Sequence, residues 1–251
     1  MLVSARSFDE YRAMFALSDH DLALRILDCP GGAASFVALA GARGTDAVAV
    51  DPQYAHGTDR LGALVLKEIE HKHASLVENA SSFRWTWFGD VENYTRLRTE
   101  AARTFAADAA ARPDRYLAAS LPHLPFADRS FDLVLSSHLL FSYGAQLDEE
   151  FHLDSLIELA RVARREVRLF PLVLHTSNRP YEPLDRIRHA LAGHGIATRL
   201  RQVGYEFQRG ADRALVLDCT DHRALPRAKP ATPAGSGGSD PVRWRHLGAH
   251  P

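Results

Sequence analysis

Cysteine is scarce: the chain has two in 251 residues, Cys29 and Cys219. They lie far apart and lack zinc or redox spacing, which excludes a disulfide framework. A reducing, cytoplasmic setting is therefore expected. A surplus of one charge is also missing. Thirty Lys and Arg stand against 31 Asp and Glu, for a net charge of -1. A general nucleic-acid binder needs a basic surplus, so nucleic acid is not an expected partner. No run is long and apolar enough to span a bilayer, and the opening residues lack the apolar core of a signal peptide, so no membrane partner is expected. There is no internal repeat. A G-x-G-x-x-G fingerprint is absent too, and with it the usual mark of a dinucleotide site.

What is present reads as alternating strands and helices. A helical lead-in over 8–22 is followed by a strand at 24–28, a small-residue turn, a helix at 35–42 that Gly44 can end, and a strand at 46–50. Strand, turn, helix and strand begin a parallel sheet. Residues 53–114 are too long for a simple crossover. They hold helical stretches at about 60–80 and 92–111 around Phe83, Trp85, Trp87, Phe88 and Tyr94, and read as an inserted helical lid or, equally, as plain core. Strands resume at 115–119, 131–135 and 167–174. Between the last two, Asp148 can cap a helix whose apolar face is Leu153, Leu156, Ile157, Ala160 and Ala163, with Arg164 and Arg165 at its C-terminal end. A helix at 183–192 and a terminal strand pair at 197–203 and 212–218 complete the pattern. From about 221 the chain turns Pro- and Gly-rich and reads as a disordered tail after a domain covering 1–220.

The strongest local signal is the stretch Asp28-Cys29-Pro30-Gly31-Gly32-Ala33-Ala34-Ser35. A strand that ends in small residues and opens a helix lets backbone approach a ligand, and a helix N-terminus offers free N–H groups. Asp51 closes the next strand, 23 residues after Asp28. An acid at about that distance is where the free hydroxyls of a ribose are gripped. As plain structure, Asp51 would instead cap the turn that starts at Pro52.

The turn resembles motif I, D-x-G-x-G-x-G, of the class I S-adenosylmethionine-dependent methyltransferases. Asp28 matches the acid and Gly32 the middle glycine, while Pro30 and Ala34 replace the outer two. Leu124-Pro125-Phe126-Ala127-Asp128-Arg129-Ser130-Phe131-Asp132-Leu133-Val134 is similar to the family's L-P-F-x-D-x-S-F-D-L-V run. Glu158-Leu159-Ala160-Arg161-Val162 is similar to its E-x-x-R-V helix. The resemblance covers about residues 20–218. It implies a Rossmann-like α/β fold with a seven-stranded, mostly parallel sheet, helices on both faces, a helical insert after strand 2 and an antiparallel last strand. It also implies S-adenosyl-L-methionine as cofactor. The candidate contacts to it are Asp28, Cys29, Pro30, Gly31, Gly32 and Ser35 around the turn, then Asp51 and Pro52. Ser120, where the family more often has Asp beside the adenine, and Leu121 follow, with Ser136 and Ser137 at the end of the fourth strand.

The implied reaction is in-line methyl transfer to a small molecule, in which the protein mainly positions two partners and excludes water. A base is needed only when the acceptor arrives protonated. The candidates are His138 and Tyr143 after the fourth strand and Tyr205 and Glu206 in the last connection; each also reads as packing or surface. Two alternatives remain open: the same scaffold attacking another carbon of the sulfonium, by aminocarboxypropyl transfer or cyclisation, and a degenerate module that binds without catalysis. His71 and His73 lie two apart on a helix and so do not face one side, and no metal is expected.

Overall fold

Strand residues of this chain carry apolar side chains on both faces, so both faces of the sheet need cover. Ile26 enters one buried cluster and Leu27 the other; Leu133 and Val134 divide in the same way. The computed structural model describes residues 4–222. The lead-in is two helices rather than one, α1 (Phe8–Met14) and α2 (Asp19–Leu22), each opened by a serine capping box. Next come β1 (Ile26–Asp28), α3 (Phe36–Gly41) and β2 (Ala47–Val50). The insert follows as α4 (Thr58–Glu78) and α5 (Val91–Ala111), with short 3-10 turns before, between and after them. The rest of the chain forms β3 (Tyr116–Leu117), β4 (Phe131–Ser137), α6 (Glu149–Val162), β5 (Ala163–Phe170), α7 (Leu184–Gly193), β6 (Ala197–Gln202) and β7 (Arg213–Asp218).

The seven strands lie in the order β3-β2-β1-β4-β5-β7-β6. Strands β1 to β5 pair in parallel, and β7 runs antiparallel to both β5 and β6. The order reverses between β1 and β4, and an open α/β sheet binds its ligand outside the strand ends at such a reversal. Helices α1, α3, α4 and α5 cover one face and α6 and α7 the other.

Three local expectations are corrected. The third strand is two residues long, because a 3-10 turn at Pro113–Arg115 runs straight into it. The fifth strand starts at Ala163, four residues early, because the chain leaves α6 directly into β5. Arg164 and Arg165 are therefore strand residues and do not sit at a helix end. Proline at 171 follows its last residue, Phe170. The buried side of α6 includes the expected Leu156 and Ala160, joined by Phe151, Ser155, Leu159 and Val162, while Leu153 and Ile157 are only partly covered. The Pro- and Gly-rich tail lies, from residue 223, outside the described residues.

The two downstream motifs meet. Arg161 donates from Nε and one terminal nitrogen to Glu158, at 2.8 Å each, and from the other terminal nitrogen to the Phe126 carbonyl at 2.9 Å and Asp128 at 2.6 Å. Glu158 also accepts the Leu124 N–H at 2.6 Å. The pair is 8% and 6% exposed. It staples the loop that carries Leu121 to the back of the sheet. Removing one partner strands the other charge, so Arg161→Met is expected to lower unfolding stability by about 3–5 kcal/mol in a urea titration. A change under about 1 kcal/mol, the size of a surface pair, would contradict this role.

Candidate active site

The carboxyl ends of β1, β2 and β4, where the sheet order reverses, open on a cavity of about 490 Å³. That is within the range of small-molecule sites. The walls have two parts. One is made by Cys29-Pro30-Gly31-Gly32, Asp51-Pro52 and Ser120-Leu121. The other is made by Ser137, His138, Tyr143, Phe170 and Tyr205, with the insert closing over it. Helix α4 contributes Val65, Ile69, Lys72 and Leu76 to the cavity, a stripe at helical spacing.

The turn after β1 lets backbone come close. A Cβ on Gly31 would sit 2.7 Å from both Ala49 Cβ and Tyr54 Oη, and Gly32 has φ of 53°, a left-handed conformation that favours glycine. The N–H groups here are not free, contrary to expectation. Gly31 N–H donates to Val50 O at 2.9 Å, Gly32 N–H to Asp51 Oδ2 at 3.0 Å, Ala34 N–H to Gly31 O at 3.2 Å and Ser35 N–H to Arg6 O at 2.9 Å. A pyrophosphate needs such donors. A nucleoside that carries a sulfonium in place of phosphates does not, and this turn fits it.

Asp51 caps the turn and also lines the cavity. Its Oδ1 accepts the Gln53 N–H at 2.9 Å and caps the 3-10 turn starting at Pro52, while the side chain also faces the cavity. A carboxylate has about four lone-pair sites, so after two backbone bonds it can still accept from the hydroxyls of a ribose. Burial raises its pKa, opposed by the two backbone bonds.

Three candidates stand behind the wall. Asp28 is buried, with Tyr11 Oη donating to Oδ1 at 3.2 Å, and burial pushes its carboxyl well above the usual range. Ser35 is buried and its hydroxyl donates to Arg6 O at 3.4 Å. Ser136 is buried in β4, where strand alternation turns it away from Ser137.

The reaction-side candidates separate. His138 faces the cavity with φ of 52°, rare for a residue with a side chain, held by its N–H to Phe170 O at 2.7 Å. Its Nδ1 pairs with Ser137 Oγ at 2.8 Å. Burial, then the guanidinium groups of Arg6 and Arg98, push its pKa well below 6.5, so the ring is neutral at pH 7. Tyr143 lies in the wall with its ring 4.5 Å from that of His175. Tyr205 also lines the cavity, but its hydroxyl donates to Glu10 Oε1 at 2.9 Å and burial raises its pKa well above 10. It serves as a neutral donor rather than a base. Glu206 is outside the lining, paired with Arg84 at 3.0 Å and accepting the Gly210 N–H at 2.8 Å.

Arg6, Glu10 and Arg98 escaped sequence reading. Glu10 is fully buried and accepts two guanidinium nitrogens of Arg98, each at 2.7 Å. The capping-box spacing Ser7 to Glu10 was the only visible signal, and it pointed to a helix start, not to a cavity.

Residues 89–170 match the family model described as a methyltransferase domain. The matched stretch includes Ser120, Leu121, Ser137 and His138 of the cavity wall. An uncharacterized protein, MJ0045, of Methanocaldococcus jannaschii is 28% identical over 215 residues, covering 84% of this chain and 93% of its own length. Magnesium protoporphyrin IX methyltransferase from Synechocystis PCC 6803, crystallised with bound SAM, is 14% identical with a TM-score of 0.46, over 84% of this chain and 77% of that one. TrmN from Thermus thermophilus is 19% identical with a TM-score of 0.42, over 82% of this chain and 47% of that one.

Two outcomes follow from the geometry. Gly31→Ala forces backbone or Tyr54 to move and is expected to cost about 1–3 kcal/mol of stability, measured by denaturant unfolding. His138 resists protonation in the folded chain but not in the unfolded one. Its contribution to stability is therefore intact above about pH 6.5 and is lost as pH falls below that. Asp28, with a raised pKa, acts in the opposite sense, so the informative quantity is a difference. Between pH 7.5 and 5.5 the His138→Asn variant should lose less melting temperature than the parent; equal losses would show that His138 is not the group involved.

Proposed function

We propose that this chain, whose residues 89–170 match a methyltransferase domain and whose sheet has the Rossmann-like order, is a class I S-adenosylmethionine-dependent methyltransferase whose acceptor is a small molecule received in the half of the cavity lined by Ser137, His138, Tyr143, Phe170 and Tyr205. The observation that carries this reading is the continuity of the cavity. Asp51, on the proposed ribose side, and His138, on the proposed reaction side, line one continuous space to which α4 contributes a wall. Among the described residues no helix is long and apolar enough to cross a membrane.

S-adenosylmethionine, when bound, supplies a methyl group on a sulfonium that needs little activation. The work left to the chain is positioning. Gly31 and Gly32 allow close approach, Asp51 accepts from ribose hydroxyls, and Ser120 and Leu121 flank the base. Residues 53–114 act as a lid: α4 and α5 exclude water from the reacting atoms. His138, neutral and tied at Nδ1 to Ser137, takes the acceptor's proton at Nε2 when the acceptor arrives protonated. Tyr143 and Tyr205 shape the acceptor's pocket. Asp28, behind the turn, positions it through Tyr11 and is not a catalytic group.

Calorimetry with S-adenosylhomocysteine tests the binding half. Asp51→Ala is expected to weaken it by about tenfold or more, as loss of a charged hydrogen-bond acceptor does; an unchanged dissociation constant would defeat the assignment. Incubation with methyl-labelled donor and a metabolite extract tests the rest. Label moving to small molecules with S-adenosylhomocysteine as co-product supports methyl transfer; methylthioadenosine as co-product would assign the aminocarboxypropyl reaction instead.

A further inference from the structure

Of the three Lys and Arg side chains that line the cavity, Lys72 pairs with Glu68 and Arg98 with Glu10, and Arg6 is left without an acid. Arg98 is matched by Glu10 at 2.7 Å. Arg6, which also lines the cavity, donates from one terminal nitrogen to Ser4 Oγ but has no carboxylate partner among the described residues, and its Nε is buried without a hydrogen-bond partner. Burial and the charge of Arg98 lower its pKa, against the opposing fields of Tyr205 and Glu10, which marks a cation held at a cost. A buried guanidinium offers a planar fork suited to a carboxylate, and leaving it unpaired in a low-dielectric site is expensive. The field of Arg6 reaches His138, on the reaction side, where it adds to that of Arg98. The same cavity leaves Ser142 Oγ buried without a partner.

One wall of this chamber is aromatic. Phe207 stacks on Phe83 at 4.6 Å and on Tyr94 at 5.0 Å, and all three line the cavity beside Leu76 of the insert. Such a wall suits a planar or otherwise apolar body. Resting on the methyltransferase reading, we propose that the methyl acceptor is a small carboxylate with an aromatic body, its anion held by the Arg6 guanidinium and its body against the Phe83–Phe207–Tyr94 wall. Placing an anion there satisfies Arg6 and draws the acceptor toward a cationic donor, which gives the unpaired cation a physical reason to be buried.

Calorimetry decides this with benzoate, phenylacetate and 3-phenylpropionate, each against its neutral primary amide, titrated into the full chain with and without saturating S-adenosylhomocysteine. At least one acid should bind about tenfold or more tighter than its amide, the scale of a charge-assisted contact. In Arg6→Gln that ratio should fall to near one while S-adenosylhomocysteine binds as before; Arg6→Lys, which keeps the charge but loses the fork, should retain part of it. Equal binding of acids and amides by the parent chain overturns the proposal, and this comparison needs no variant to fold. So does an acid preference that survives Arg6→Gln. A selective loss of S-adenosylhomocysteine over methylthioadenosine in Arg6→Gln also overturns it, because that pattern assigns Arg6 to the carboxylate of the cofactor. Failure of S-adenosylhomocysteine to bind the parent would instead defeat the methyltransferase reading, and the acid-to-amide ratio without it still decides the anion site.

Discussion

A single buried carboxylate joins the parts of the chain that enclose the cavity. Glu10 caps the start of α1 by accepting the Ser7 N–H, takes both terminal nitrogens of Arg98 on α5, and accepts the hydroxyl of Tyr205 in the loop between β6 and β7. These segments lie 88 and 195 residues away from it in sequence. A charge taken out of water is tolerated only when its lone pairs are filled. Lead-in, insert and last loop must therefore come together around Glu10 or not at all. The cavity's roof and side are consequences of satisfying that one group.

A second ion pair does comparable work at the opposite end of the site. Glu158 and Arg161 hold the loop from Leu124 to Asp128, and through it the position of Ser120 and Leu121. The family-like sequences L-P-F-x-D and E-x-x-R-V are thus two halves of one structural device. Neither touches the cavity. Their value to function lies in what they immobilise, since a site whose walls drift by an ångström loses most of the benefit of positioning.

The electrostatics of the chamber are uneven. On the side of the turn after β1, burial raises the pKa values of Asp51 and Asp28, so both carboxyls ionise less readily than in water. Near the reaction side, Arg6 and Arg98 face a neutral His138. The proposed anionic acceptor would be favoured on the guanidinium side of the chamber.

Sheet, crossover helices and the turn after β1 were legible because they rest on local physics: apolar runs of strand length, small residues where the backbone bends, an acid at the end of the next strand. Period and spacing carry that information within about 50 residues. The third strand's shortness, the early start of β5 and the rest of the buried side of α6 were not legible, since each is set by what the neighbouring element covers. The same holds for the site. Asp51 and His138 could be named from their places at strand ends, but whether Ser136 or Ser137 faced inward depended on the pleat. The roles of Arg6, Glu10 and Tyr205 depended on contacts across most of the chain. Local sequence determined the scaffold and the small-residue turn at the cavity mouth; only the tertiary structure decided which charges lacked a partner inside it, because burial and pairing are properties of the assembled chain and not of any stretch within it.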